Sequence, residues 1–448
     1  VAICLAGDEP SRLCAVGRRS FDRAVLSDRL AHYAHLWRIR RKLRAYRVRR
    51  FDRNRHGYRD VAPDWADRKR DAGMTGDASR PAHIKFILPG LSAGGSEHVV
   101  SFVANRLARS GFEVSILSFE MSGSTPYYKT DDRIRIDYLD VPVGKRGPLG
   151  VISDIVRRVK RLRALYQEQR PDLVVSLLTR SNVIAVLAAS GLDIPVIVSE
   201  RNNPLRQKPG VVWQALRRYT YARAFGLITM TRGALECFPP VMRPRSWVIP
   251  NMADYQDFKP KFTNERKVMT AVGRLVDQKG FDLLIKAWAK IADRHGDWCL
   301  RIWGEGPDRA MLEALAAEHG VADGVQMPGV SSAPGRWIEE ADAFVLSSRF
   351  EGWGLVLGEA MAAGLPCISF DCPFGPADMI THDHDGLLID EGNIDAMADA
   401  LSHLMGDAAL RDRLGAQAKT AADRFAPEAI GEIWENTIRG ALATARGQ

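Results

Sequence analysis

Residues 343–370, AFVLSSRFEGWGLVLGEAMAAGLPCISF, show the pattern from which the fold class can be predicted. The apolar run Ala343–Leu346 predicts a buried strand, and Leu355–Ala363 predicts a helix that ends at Gly364. A second apolar run, Cys367–Phe370, predicts the next strand. A strand, a helix and a further strand in this order form the repeating unit of a parallel α/β sheet.

The same alternation extends along most of the chain. It runs from His83 to Asn251, and it restarts at Val268 after a polar link at Asp254–Asn264. An amphipathic helix is predicted from Pro427 through Ile438. We therefore expect an α/β fold with two doubly wound parallel-sheet domains. The other expected strands are Ile84–Leu88, Val114–Phe119, Ile134–Leu139, Leu173–Leu178, Val196–Ser199, Leu227–Met230, Val268–Val272, Cys299–Trp303 and Leu387–Ile389, and the other expected helices are Phe281–Arg294 and Ala310–His319.

These elements divide the chain into four expected segments. They are a basic, disordered N-terminal extension (1–80), a first α/β domain (81–255), a second α/β domain (256–426) and a closing C-terminal helix (427–448).

Composition narrows the class of protein. Hydrophobic residues make up 46% and charged residues 26% of the 448 residues, which is ordinary for a globular protein. The six cysteines lack the spacing of a zinc site or a disulfide framework, so we expect buried or incidental thiols and no metal. Because no long uncharged apolar run and no secretory signal pattern are found, we expect a cytoplasmic protein.

The positive charge is concentrated at the start of the chain. Residues 1–80 hold 20 Lys and Arg against 10 Asp and Glu, whereas the remainder holds 43 against 44. The extension is expected to be disordered or translated from upstream of a natural start at Met74. A basic arm that touches anionic lipid and an arm that binds nucleic acid are the alternatives. The rest of the chain is not built around nucleic acid.

Ligands in an open parallel sheet lie beyond the carboxyl ends of its strands. The first unusual strand end is Pro89–Glu97, which contains Gly94 and Gly95. Paired glycines let backbone amides approach a phosphate or a sugar closely, although a tight turn without a ligand would need the same glycines. The spacing is not that of a dinucleotide site.

The second strand end is Gly273–Gly280, at the first strand of the second domain. Arg274 and Lys279 put two cations beside this strand end. They suit a diphosphate whose departing charge must be stabilised, and solvated surface charge is the alternative.

The third strand end carries two glutamates eight residues apart. Glu351 is placed in the loop and Glu359 about one turn into the following helix. Carboxylates accept hydrogen bonds from sugar or ribose hydroxyls, and the backbone amides of Gly354, Leu355 and Val356 at a helix N-terminus suit a phosphate. A solvated helix face is the alternative.

The fourth strand end, Asp371–Pro376, is stiffened by two prolines. It can cover a bound ligand, or it can be a rigid turn.

From His83 onward the chain resembles the family-4 retaining glycosyltransferases with the GT-B fold. The motifs that carry this resemblance occur in the family's order along about 365 residues. They are Gly94-Gly95-Ser96-Glu97, Val248-Ile249-Pro250-Asn251, Gly273-Arg274 with Lys279-Gly280, Gly304-Glu305-Gly306-Pro307, and the E-x7-E pattern of Glu351 and Glu359 before Ala360-Met361-Ala362-Ala363-Gly364-Leu365-Pro366.

The resemblance implies that two Rossmann-like domains face each other across a cleft. The first domain (81–255) would be the acceptor domain, and the second (256–426) the nucleotide-sugar donor domain. The resemblance also implies roles for single residues. Arg274 and Lys279 would hold the donor diphosphate, and Glu351 would hold the transferred sugar. Glu359 would bind the ribose hydroxyls. The resemblance implies catalytic roles for Glu351, Arg274 and Lys279, with no metal and no cofactor beyond the nucleotide-sugar substrate. The full predicted donor site is Gly94, Gly95, Gly273, Arg274, Lys279, Glu351, Gly354, Leu355, Val356 and Glu359.

The sequence departs from the family at one strand end. Many relatives carry a cleft histidine where this chain has Ser199-Glu200-Arg201-Asn202-Asn203-Pro204. Glu200 and Arg201 are therefore candidates for contacts with the sugar or the acceptor, and Glu97, beside the paired glycines, is a third candidate. The Glu-Arg-Asn pattern resembles a subset that assembles polysaccharides and lipid-linked glycans.

Because enzymes of that subset act on lipid-linked sugars, the basic residues of the first domain could contact a membrane surface. Arg157–Arg163 and the pair Arg217-Arg218 are predicted on helices, where cationic flanks could contact anionic lipid. We expect either this peripheral attachment to the cytoplasmic face of the inner membrane or an ordinary solvated surface.

The leading expectation is transfer of a hexose or N-acetylhexosamine from a nucleotide diphosphate sugar, uridine-linked, to a polyprenyl-diphosphate-linked or polysaccharide acceptor in cell-surface glycan synthesis. A nucleotide-sugar epimerase of the same fold is one alternative, although the sequence lacks the extra acid and base residues that it would need. A non-catalytic sugar-binding or nucleic-acid-binding protein is the other.

Overall fold

The computed structural model describes residues 80–447 except 93, 143–147, 207–209, 254–257, 259, 261–265 and 334. The predicted N-terminal extension lies outside the described residues, apart from Arg80. Most of the predicted link at 254–264 lies outside them as well.

The first sheet of the described chain is parallel, with strand order β3-β2-β1-β4-β5-β6-β7. Its central strands are apolar and buried on both faces, as expected when helices cover a parallel sheet. Ile84 on β1 pairs with Val114 on one side and Leu173 on the other. The strands are β1 (His83–Leu88), β2 (Glu113–Ser118), β3 (Arg135–Tyr138), β4 (Leu173–Leu177), β5 (Val196–Glu200), β6 (Gly226–Thr229) and β7 (Ser246–Val248).

Helices cover both faces of this sheet. One face carries α2, α3 and α4 side by side around a core that includes Ile87, Tyr166 and Val183. The other face carries α1. The helices of this part are α1 (Gly95–Arg109), α2 (Pro148–Gln169), α3 (Thr179–Ala189), α4 (Val211–Tyr221) and α5 (Arg232–Glu236).

The second sheet is also parallel, with strand order β10-β9-β8-β11-β12-β13. The apolar faces of α6, α7 and α10 pack on one side around Trp288, Leu312 and Leu401, and α8 packs on the other side. The strands are β8 (Lys267–Val272), β9 (Trp298–Trp303), β10 (Val325–Gly329), β11 (Ala343–Leu346), β12 (Cys367–Asp371) and β13 (Leu387–Asp390). The helices are α6 (Phe281–Ala289), α7 (Arg309–Glu318), α8 (Leu355–Ala362), α9 (Pro376–Met379), α10 (Ile394–Gly406), α11 (Ala408–Ala422) and α12 (Pro427–Arg446).

The last helix, α12, returns to the first sheet. It packs against α1, where Arg106 Nε donates to Glu435 Oε2 at 3.2 Å. Buried Trp434 and Ile438 of α12 share one hydrophobic cluster with Leu357 of α8. This continuous apolar contact joins the two sheets behind the loops at their carboxyl ends.

The structure confirms the predicted fold class, and it corrects several elements. The helix expected over Phe281–Arg294 ends at Ala289, and a short 3₁₀ turn follows at Ala292–Arg294. The closing helix continues to Arg446. Sequence periodicity missed the edge strands β7 and β10, because both are short and partly exposed and β10 contains Pro328, which edge strands tolerate.

A close approach at Gly280 fixes the turn between β8 and α6. Gly280 has a left-handed backbone, with φ +63°, and a Cβ at this position would overlap the carbonyl oxygen of Ser347. The hydroxyl of Ser347 donates to the carbonyl of Lys279 at 2.9 Å. The absence of a side chain at Gly280 therefore lets the loops after β8 and β11 pack together.

Gly280→Ala should destabilise the protein by more than Gly392→Ala. Gly392 also has a left-handed backbone, with φ +75°, but it faces open space, so its substitution carries only the backbone strain of about 1–2 kcal/mol. Overlap with Ser347 should add about 1–3 kcal/mol at Gly280. Thermal and urea unfolding measure both variants, and equal losses would contradict the close packing of the two loops.

Candidate active site

Lys279 and Glu351 meet at the carboxyl ends of adjacent strands β8 and β11. Lys279 Nζ lies 2.7 Å from Glu351 Oε1, and Ser348 Oγ donates to the same oxygen at 2.7 Å. The side chain of Glu351 is 9% exposed and that of Lys279 is 17% exposed. The second domain therefore holds a buried carboxylate with its cation where ligands of a parallel sheet bind.

The stem of Lys279 lies close to the backbone of Gly273. A Cβ at Gly273 would come within 2.9–3.1 Å of the methylene carbons of Lys279. The aliphatic stem of Lys279 thus runs directly across Gly273 to reach Glu351. Arg274, the other predicted diphosphate ligand, lies in the same loop with its side chain exposed.

Glu359 lies on α8, the helix that begins beside Glu351. Gly354, with φ +97°, precedes the helix, and Leu355 and Val356 form its first turn. Glu359 is buried, with 6% of its surface exposed. The E-x7-E pattern therefore places Glu351 in the loop and Glu359 on the helix, as the sequence predicts.

The glycine-rich loop of the first domain faces this helix. Gly94 and Gly95 lie at the start of α1, and a Cβ on Gly95 would lie 3.8 Å from Cδ2 of Leu355. This distance brings the two predicted halves of the donor site together across the cleft. Their part in donor binding stays a prediction.

Glu97, in the first turn of α1, is half-buried, and burial raises the pKa of its carboxyl. The pKa of the Tyr128 phenol is also raised, first by burial and then by Tyr127, Glu97 and Glu359. Carboxylates from both domains therefore act on this phenol.

Sequence reasoning missed this aromatic group. The ring of Tyr128 stacks on His98 with centroids 4.8 Å apart, and Tyr127 meets Tyr128 edge to face at 5.0 Å. The backbone N–H of Tyr127 donates to the carbonyl of Leu91 at 2.9 Å, which ties the aromatic loop to the glycine-rich loop. Two adjacent tyrosines beyond a strand end were the available signal.

Glu200, at the end of β5, points into the first domain. Its Oε1 accepts hydrogen bonds from Thr179 Oγ1 at 2.9 Å and from the hydroxyl of Tyr221. Burial raises the pKa of Glu200, while Tyr221, Arg217 and Thr179 act in the opposite direction. A contact between Glu200 and the sugar or acceptor remains a prediction.

Arg201 and Asn203 point from the same strand end toward the second domain and the chain segment that leads to it. Arg201 donates to the side chain of Asn251 and, at 3.5 Å, to the carbonyl of Ile249, and burial lowers its pKa to about 10. Asn203 Nδ2 donates to the carbonyl of Glu351 at 3.1 Å. The segment Ser199–Pro204 thus contacts the glutamate loop directly.

The fourth predicted loop also reaches Glu351. The backbone N–H of Glu351 donates to the carbonyl of Pro373, and the N–H of Phe374 donates to the carbonyl of Glu351, both at 3.1 Å. The ring of Phe374 lies against Gly233 of the first domain. This loop is part of the support of Glu351, and a role in covering a ligand stays a prediction.

A groove outside this cleft lies at the opposite edge of the first sheet. It has a volume of about 340 Å³ and is lined by residues that precede β4 and β5 and by the end of α12, among them Arg170, Asp172 and Arg446. None of the predicted site residues lines it.

Comparison with known proteins identifies the family. The model "Glycosyl transferase 4-like domain" matches residues 94–251, and the model "Glycosyl transferases group 1" matches residues 253–421. Together they cover most of the described chain.

Two curated relatives extend over most of this chain. The exopolysaccharide phosphotransferase SCO2592 of Streptomyces coelicolor is 30% identical over 79% of this chain, which spans only 40% of that protein's length. A Campylobacter jejuni enzyme is 28% identical over 79% of this chain and 98% of its own length. It is named GalNAc-alpha-(1->4)-GalNAc-alpha-(1->3)-diNAcBac-PP-undecaprenol alpha-1,4-N-acetyl-D-galactosaminyltransferase.

Solved structures agree on the fold. Anabaena Alr3699/HepE in complex with UDP and glucose superposes with a TM-score of 0.65, at 16% identity, over 80% of this chain and all of that one. The two family models show that the chain belongs to the group 1 glycosyl transferases with a glycosyl transferase 4-like first domain, and the likeness to solved structures shows that it has the GT-B fold.

Proposed function

We propose that this glycosyltransferase moves a hexose or N-acetylhexosamine from a UDP-sugar to a lipid-linked or polysaccharide acceptor. The single observation that carries the proposal is the buried Lys279–Glu351 pair. The loop that holds Glu351 leads into α8, which carries Glu359 and whose first residue, Leu355, faces Gly95. Carboxylates that accept sugar hydroxyls and a cation that binds phosphate are the two chemistries that a nucleotide-sugar donor requires.

The relatives support the choice of donor and acceptor. HepE is described in complex with UDP and glucose, and the name of the Campylobacter enzyme specifies an undecaprenol-diphosphate acceptor. We extend both to this chain as a UDP-sugar donor and a polyprenyl-diphosphate-linked or polysaccharide acceptor.

We propose a retaining reaction that needs no metal. The bond between the anomeric carbon and the diphosphate oxygen breaks as the acceptor oxygen bonds to the same face of that carbon. The acceptor proton passes to the leaving diphosphate. Lys279 and Arg274 stabilise the developing charge, since cations placed where charge develops lower a barrier most effectively in a site that excludes water.

Lys279 has to exchange partners in this scheme. In the structure its ammonium binds Glu351, whereas a bound donor offers it a diphosphate. The exchange leaves Glu351 to accept hydroxyls of the transferred sugar, with Ser348 Oγ still bonded to Oε1.

A donor screen tests the proposal. We expect a UDP-sugar to raise the melting temperature of the protein and to be turned over, whereas GDP- and ADP-sugars do neither. Ligand at about 100 times its dissociation constant stabilises a protein by about 2.7 kcal/mol, which a thermal-shift assay detects. Lys279→Ala should abolish the shift, Glu351→Ala should abolish turnover, and a metal chelator should change neither in the parent.

Lys290→Ala is the matched control, because Lys290 also pairs with a carboxylate, Asp395 at 2.9 Å, but on the exposed surface. No response to any donor, with the Lys279 and Glu351 variants behaving like the parent, would contradict the proposal. It would favour a binding protein without transferase activity.

We further propose that the first domain rests on anionic lipid. On α2 the side chains of Lys160 and Arg161 are exposed, together with Ile152 and Val156. The neighbouring α4 exposes apolar side chains and a cation, namely Val211, Val212, Tyr219 and Arg218. In the described part of the chain no helix is both long enough and apolar enough to cross a bilayer.

Vesicle sedimentation tests the lipid contact. The full chain should bind phosphatidylglycerol vesicles better than phosphatidylcholine vesicles, and salt should weaken the binding. The triple change Val211→Ser, Val212→Ser and Arg218→Gln should weaken it about tenfold, because each cation contributes about 1 kcal/mol at such a surface and buried apolar area adds to this.

The matched control changes two exposed apolar residues and one cation of the second domain, as Met311→Ser, Val330→Ser and Lys419→Gln. Equal binding by the parent and the α4 variant would rule out this surface.

A further inference from the structure

Two loops of the second domain hold Glu351 through a reciprocal pair of backbone hydrogen bonds. Glu351 N–H donates to the carbonyl of Pro373, and Phe374 N–H donates to the carbonyl of Glu351. The pair joins the loop after β11 to the loop after β12. Both acceptors of this pair have a second donor, which comes from the first domain.

That donor is Asn203, in the turn after β5. Its Nδ2 lies 3.1 Å from the carbonyl oxygen of Glu351 and 2.5 Å from that of Pro373. Its Oδ1 accepts the backbone N–H groups of Leu205 at 3.0 Å and Arg206 at 3.3 Å. Asn203 is 3% exposed. Its buried carboxamide therefore connects the turn after β5 to both loops of the other domain.

Glu351 is consequently fixed at both ends. Lys279 and Ser348 bind its carboxylate, and Asn203 and Phe374 bind its carbonyl. Lys279 and Ser348 belong to the second domain, as Glu351 does, whereas Asn203 belongs to the first domain. A hydrogen bond between domains can form only when the domains are correctly placed, so Asn203 makes the position of Glu351 depend on that placement.

We propose that Asn203 is a positioning residue that aligns Glu351 for sugar transfer when the two domains are in register. This inference rests on the proposed function of Glu351 as the residue that holds the transferred sugar. Asn203 acts through the backbone of Glu351 and needs no contact with the donor. The effect belongs to the chemical step, because displacing a reacting group by about 1 Å can cost up to about 100-fold in rate.

Asn203→Asp removes the donor of the carboxamide, Nδ2, and keeps an acceptor in the place of Oδ1. The variant keeps an oxygen that accepts the Leu205 and Arg206 amides, so the local turn is preserved. It replaces the donor with a carboxylate oxygen facing two carbonyls. Asn203→Ser is the uncharged second variant, since its hydroxyl can still accept from the turn but is too short to reach both carbonyls.

Arg206→Ala is the matched control at the same interface. Arg206 lies 3.7 Å from Glu391 and places its guanidinium 5.5 Å from the ring centroid of Phe350. Its removal weakens contact between the domains without changing a donor to the carbonyl of Glu351.

The first readout is turnover. UDP release from the UDP-sugar identified by the donor screen should fall about tenfold or more in kcat for both Asn203 variants. The affinity for UDP alone should stay within about twofold, because Asn203 does not reach the predicted diphosphate ligands. Arg206→Ala should keep the parental kcat. Parental kcat in Asn203→Asp and Asn203→Ser would overturn the proposal, and so would a loss of UDP affinity as large as the loss of kcat.

The second readout needs no donor. Hydrogen exchange at the amides of Glu351 and Phe374 should accelerate in both Asn203 variants and remain parental in Arg206→Ala, because only the former lose the contact that holds the two carbonyls. Unchanged exchange would overturn the inference. If the parent protein bound no nucleotide sugar, the proposed function would fail, whereas this exchange measurement would still decide whether Asn203 holds the two loops.

Discussion

The ion pair between Lys279 and Glu351 is the interaction on which the active-site architecture depends. It is largely buried, and removing one partner of a buried pair typically costs about 3–5 kcal/mol because the other charge is left without compensation. Several local features accommodate it. Gly273 leaves space for the lysine stem, Gly280 lets the two loops approach, and Ser348 satisfies the same carboxylate oxygen. The pair therefore links the turn after β8 to the turn after β11.

The two domains contribute different parts of the cleft. The second domain supplies the buried carboxylates and the lysine, and the first supplies the glycine-rich turn and the Tyr128 group. Behind the cleft, α12 returns to pack on α1, so one apolar cluster runs through both domains. This arrangement fixes the back of the cleft through burial of apolar area, and it leaves the front to polar contacts such as those of Asn203.

Sequence reasoning could place the parts of the candidate site that local pattern encodes. A buried strand followed by a loop and a helix places residues such as Lys279 and Glu351 at the carboxyl edge of the sheet, which is why the strand ends could be recognised.

Contacts between distant loops leave no such signal in the sequence. Asn203 looks like an ordinary turn residue, and only the fold brings it to a carbonyl 148 residues away. Tyr128 likewise depends on where its loop packs. Glu200 is a candidate because the sequence departs from the family pattern at its strand end, but the direction of its side chain, toward Tyr221, is set by burial in the first domain.

A crystal structure of the protein with UDP is the most direct test of the donor site. The account predicts the diphosphate between Lys279 and the loop of Gly94 and Gly95, with the ribose hydroxyls on Glu359. It also predicts that Lys279 turns from Glu351 toward the phosphate. UDP bound away from Lys279 and Glu359, for example in the groove beside Arg170 and Arg446, would contradict the account.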